Sequence, residues 1–132
     1  MPKSNYLATA LIGHVFAKST YTPPAHYYIA LCKIAPLASD TGSTITESTY
    51  TSYARVLKNT ADFTAVSANA VSNVAEIDFP VPGASGDTVY GFAVLDAATL
   101  GNVLYFGPLA ALPVTPGFAP FLPAGALVLG ES

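Results

Sequence analysis

The stretch His26-Tyr27-Tyr28-Ile29-Ala30-Leu31-Cys32-Lys33-Ile34 decides the fold class. Read with a period of two, it sets Tyr28, Ala30, Cys32 and Ile34 against Tyr27, Ile29 and Leu31, and both sets are largely apolar. A strand with one wet face alternates apolar with polar residues, so a run that is apolar on both sides predicts a central strand covered on both faces.

Upstream of this strand lies one clear helical signal. Leu7, Leu11 and Val15 recur every four residues, with Ala8, Ile12 and Phe16 on the same side. That spacing predicts an amphipathic helix capped by Ser4. It fades near Lys18, where Ser19, Thr20 and Thr22 open a polar stretch and Pro23-Pro24 forbids continuation.

Downstream, every signal reads as strand and turn. Ala38 to Thr51 is rich in Ser, Thr and Gly and predicts a long surface loop. Strands are expected over Ser52 to Lys58 and Val74 to Phe79, the second with Glu76 and Asp78 toward solvent or an edge. Thr88 to Leu95 and Asn102 to Gly107 form a hairpin around the loop Asp96 to Gly101, and Gly125 to Leu129 reads as a closing strand. Pro108, Pro113, Pro116, Pro120 and Pro123 confine the tail to edges and loops. One helix followed by six or seven short strands predicts a mainly β chain: a β-sandwich or jelly-roll-like domain with an N-terminal helix. We expect a single domain over residues 1–132, with 1–20 helical and 21–132 forming the sandwich.

Charge is scarce. Asp, Glu, Lys and Arg make up 10% of the 132 residues, against about 25% in soluble domains, and mean hydropathy is +0.46. No stretch is long and apolar enough to span a bilayer, because Asp96, Gly101, Asn102 and Pro108 break the most hydrophobic window. The apolar run near the N-terminus is interrupted by Asn5, Gly13 and His14 and reads as a helix rather than an export signal. An uncharged exterior on a non-membrane chain predicts a subunit covered by neighbours, and hence a homo-oligomer or a larger assembly. Net charge is −3 and the five basic residues are scattered, which excludes nucleic acid as a partner.

Catalytic signals are thin: eight carboxylates, two histidines and one cysteine in the chain. Glu76 and Asp78, two apart on a strand, would share a face about 7 Å apart, a spacing usable on a glycosidic bond, although a solvated strand face fits better. His14, His26 and Cys32 match no metal-ligand spacing, so no metal or cofactor is expected. Cys32 sits in an apolar run and reads as a small buried hydrophobe. Gly83-Ala84-Ser85-Gly86 lacks the second glycine of a nucleophile elbow, since position 87 is Asp. Zero tryptophan and strand-borne tyrosines favour packing over glycan stacking.

The order of short motifs carries more information than any one of them. Asn5-Tyr6-Leu7, Ala10-Leu11 and His14-Val15-Phe16 are followed by Tyr21-Thr22-Pro23-Pro24, Tyr28-Ile29-Ala30-Leu31 and Ser52-Tyr53-Ala54-Arg55. Phe79-Pro80, Gly91-Phe92, Asp96-Ala97-Ala98, Gly101-Asn102, Leu104-Tyr105, Gly107 and Ala124-Gly125-Ala126-Leu127 complete the series. Over nearly its whole length the chain resembles small virion proteins of tailed bacteriophages, labelled tail-fibre, head-fibre or capsid-decoration proteins. It departs from them in the proline-rich, apolar Thr115 to Pro123 and in the Ser- and Thr-rich middle loop. The resemblance implies a structural role without catalysis, in a virion assembled in the host cytoplasm, with other virion proteins (major capsid protein or tail proteins) as partners.

The leading expectation is a capsid decoration or cement protein on the outer shell. Its candidate interface residues are Phe118 and Phe121 as anchors, with Pro120 and Pro123 holding the segment extended. The alternative is a tail-fibre or tail-tip module contacting the host surface, and a third, weaker one is a glycan-cleaving enzyme using Glu76 and Asp78.

Overall fold

A computed structural model describes residues 3–130, so Met1, Pro2, Glu131 and Ser132 of the expected 1–132 domain lie outside the described residues. The fold is mainly β and sandwich-like, as the strand pattern predicts. Helix α1 (Asn5–Val15) precedes β1 (Tyr27–Cys32), β2 (Val56–Lys58), a single 3-10 turn (Thr60–Asp62), β3 (Ala70–Ser72), β4 (Ile77–Asp78), β5 (Asp87–Leu95), β6 (Val103–Val114), β7 (Phe121–Leu122) and β8 (Val128–Gly130). An antiparallel sheet of order β2-β1-β5-β6 faces two short ribbons, β3-β8 and β4-β7.

The doubly apolar reading of β1 explains its place between β2 and β5. Ile29 and Leu31 lie opposite Val94 and Phe92 and face the main core with Ile77, Phe79, Leu122, Leu127 and Leu129 from the ribbon side. On the other face Ala30 pairs with Ala93, and these small side chains let the 38–51 loop settle onto the sheet through Ala38 and Ile45. Ile29, Ala30, Leu31 and Cys32 are all fully buried. Gly91 is required where this layer closes: a Cβ there would lie 2.8 Å from the Ala35 Cα and 2.9 Å from the Pro36 Cδ.

The hairpin β5–β6 forms as expected, but β6 runs on to Val114, through Pro108 and Pro113. This is possible because β6 is an edge strand, where a missing N–H costs no ladder bond. The strands expected over Ser52 to Lys58 and Val74 to Phe79 shrink to Val56–Lys58 and Ile77–Asp78. In contrast, β3 falls inside a polar interval with no strand signal. It is held instead from outside, through β8 and through Asn73, whose side-chain amide donates to the Ala75 and Pro123 carbonyls (2.8 and 2.9 Å) and accepts from the Leu127 N–H (2.9 Å).

Ser4 caps α1 as predicted, accepting from the Leu7 N–H at 3.1 Å, and its hydroxyl also donates to the Val103 carbonyl. The Ser4 and Asn5 N–H groups bond the Leu104 and Ala38 carbonyls at 2.8 Å, so the first turn is tied to the sandwich. The last turn ends in a Schellman arrangement, Lys18 N–H to Gly13 carbonyl (2.8 Å) and Ala17 N–H to His14 carbonyl (3.1 Å). Ala17 takes the left-handed conformation there, with φ of 55°.

Candidate functional site: an uncharged helix beside an apolar groove

The helix departs from its sequence reading in one respect. Of the apolar stripe, only Leu7 is buried, whereas Ile12, Val15 and Phe16 are 61%, 73% and 66% exposed. Among the described residues, backbone anchors hold the first turn of α1 to the sandwich, and its later turns flank an open groove of about 930 Å³. Leu7, Leu11 and Val15 line one wall, Phe63 to Val66 line another, and Tyr27, Val71, Val94, Leu104, Tyr105 and Leu129 are among the remaining lining residues. Among the described residues lining it, Lys3 is the one that carries a charge. A smaller hollow of about 250 Å³ shares Val66, Val71, Tyr105 and Leu129 and extends the groove past the β3–β8 ribbon.

Two features shape the mouth. The Tyr21 N–H donates to His14 Nδ1 at 3.2 Å, drawing the segment after α1 back against the helix end. Across the groove Val66 is 77% exposed, beside a tight turn in which Ala68 and Asn69 both adopt positive φ. With Ile12, Val15 and Phe16, Val66 presents on the order of 500 Å² of apolar surface, at the upper end of the largest patch a typical monomer leaves exposed.

Sequence reasoning did not find this site because its residues come from six separate segments. A signal was nonetheless present: from Asn5 to Ala17 there is no Asp, Glu, Lys or Arg. A helix covered on one side normally carries charge on the other.

The candidate interface residues lie apart from the groove lining. Phe118 and Phe121 are 72% and 46% exposed, Pro123 is exposed, and Pro120 is buried with its carbonyl accepting from the Phe79 N–H at 2.9 Å. Glu76 and Asp78 are exposed, and side-chain hydrogen bonding with Asp78 raises the Glu76 pKa. They line neither the groove nor the smaller hollow. His26 Nδ1 lies 2.7 Å from Asn59 Oδ1, and burial pushes the Cys32 thiol up to about 12, so at neutral pH it is a protonated core group. Among the described residues no three His, Cys, Asp or Glu side chains converge as a metal site, and no helix is long and apolar enough to cross a membrane.

No curated protein matches the chain. A family model described as podophage GP4 fiber I protein gp80 matches residues 2–130, nearly the span over which the motif order resembles phage virion proteins. The uncharged helix, the open apolar groove and the sandwich all lie within that span, and the chain belongs to the podophage GP4 fiber I protein gp80 family.

Proposed function

We propose that this chain is a non-enzymatic structural subunit of a podophage virion fibre, and that its uncharged helix face and groove are covered by another virion protein chain. The observation that carries this reading is the exposure of Ile12, Val15, Phe16 and Val66 around a groove with one charged lining residue. Left in water, such a surface drives association, and a partner that binds only the folded chain stabilises it by mass action. The family description favours a fibre over decoration of the outer shell, the reading that the composition and resemblance put first. Phe118 and Phe121, both exposed, act as a second contact within the same assembly.

Copy number in purified particles separates these roles. Quantitative mass spectrometry against the major capsid protein is expected to give a few to a few dozen copies per virion. Copies on the order of hundreds would establish shell decoration instead, and absence from the particle would overturn both.

A further inference from the structure

We propose that the groove is filled by helix α1 of a second copy of this chain, placed reciprocally so that each helix lies in the groove of the other. This contact deepens the fibre-subunit reading by naming the partner that covers the groove. Ridge and hollow meet on one molecule: α1 forms a wall of the groove in which Ile12 and Val15 stand largely exposed, and Phe16, outside the lining, projects just beyond them. A two-fold axis along that border sets each ridge into the other's hollow, the self-complementary arrangement of isologous pairs.

Charge and area both select this occupant. Helix α1 carries no Asp, Glu, Lys or Arg, so it enters the groove without stranding a charge. Nucleic acid or an anionic lipid surface requires a cluster of basic side chains, and among the described lining residues Lys3 stands alone. A small ligand requires convergent polar groups to fix its orientation, and the lining is almost wholly apolar. Burying the roughly 500 Å² patch of both copies gives about 1,000 Å² in total, the area at which a specific interface becomes viable.

The test uses the full-length chain. Wild type is expected to sediment as an oligomer and Ile12→Asp as a monomer with unchanged circular dichroism, because Ile12 is 61% exposed and its replacement does not enter the core. Separately prepared Ile12→Cys and tagged Val66→Cys chains, mixed and mildly oxidised, are expected to give a disulfide-linked product of mixed mass, at least tenfold above a Leu57→Cys and Val66→Cys control. Cys32 is buried and does not compete. A monomeric wild type overturns the reciprocal contact, as does an oligomer that survives Ile12→Asp without forming the mixed product. A monomer that is still present in purified particles sinks this contact and leaves the fibre reading standing, whereas an oligomer absent from particles does the reverse.

Discussion

Arg55 grips Glu47 through two parallel hydrogen bonds of 2.9 Å, and the guanidinium side chain is only 3% exposed. Its remaining N–H groups donate to the carbonyls of Ala97 (2.9 Å), Leu100 (2.8 Å) and Gly42 (3.3 Å), while Tyr53 donates to Glu47 at 2.8 Å and accepts from the Leu31 N–H. One side chain thus pins the 38–51 loop and the β5–β6 loop to the start of β2. Removing it leaves the part-buried Glu47 carboxylate without its cation, with the Tyr53 hydroxyl as its remaining described donor, and takes the Arg55 donor from three carbonyls. Arg55→Ala is expected to lose about 3–5 kcal/mol of stability, as for other broken buried pairs. Arg55→Lys keeps the charge but not the fork and should recover only part of it. Urea unfolding of the three proteins measures both; a loss under about 1 kcal/mol for Arg55→Ala would mean the pair behaves as an exposed one.

Asn73 joins β3, β4 and the tail through three side-chain hydrogen bonds, and the Gly125 N–H also bonds its carbonyl. Asn73→Ala is expected to cost about 2–4 kcal/mol, because buried polar groups lose their partners. Hydrogen exchange should then rise first at Leu127 and along β8. Uniform exchange across the molecule would contradict the local role.

Ala17 holds a left-handed φ of 55° at the end of α1, a position that glycine occupies without strain. Ala17→Gly should therefore stabilise the chain, by about 1 kcal/mol, where glycine inside a helix would destabilise it. The sign of the shift in thermal midpoint decides the matter.

Alkaline pH provides a further test. Burial raises Cys32 from 9.0 to about 12 and Tyr50 from 10.0 to about 12, and burial with Glu47 alongside raises Tyr53 as well. A raised folded-state pKa means that the unfolded chain loses its proton first. The stabilising effect is complete below about pH 9 and declines as pH climbs toward 12. Denaturant midpoints should be flat from pH 7 to 9 and then fall, and Cys32 should resist alkylation at pH 8 until the chain is unfolded.

How much of this was legible in the sequence follows from the range of the forces. Tyr27 to Cys32, apolar on both sides, could only be a central strand, and Ser4 before an apolar period could only start a helix. Periodicity did not reveal β3, because Ala70 to Ser72 has no strand pattern and is held by β8 and Asn73 from far along the chain. The same limit applied to α1. Its period announced an apolar stripe, but how far the sandwich extends beneath that stripe depends on residues about 50 to 120 positions away, and only tertiary structure reveals that Ile12 and Val15 border a groove. The groove was legible only as a lack of charge.

Cryo-electron microscopy of the intact particle tests the central claim most directly. The expected result is a fibre whose density holds the β2-β1-β5-β6 sheet, with Ile12, Val15 and Phe16 buried against a neighbouring chain. A fibre in which α1 faces solvent above an empty groove, or a particle without this fold, would contradict it.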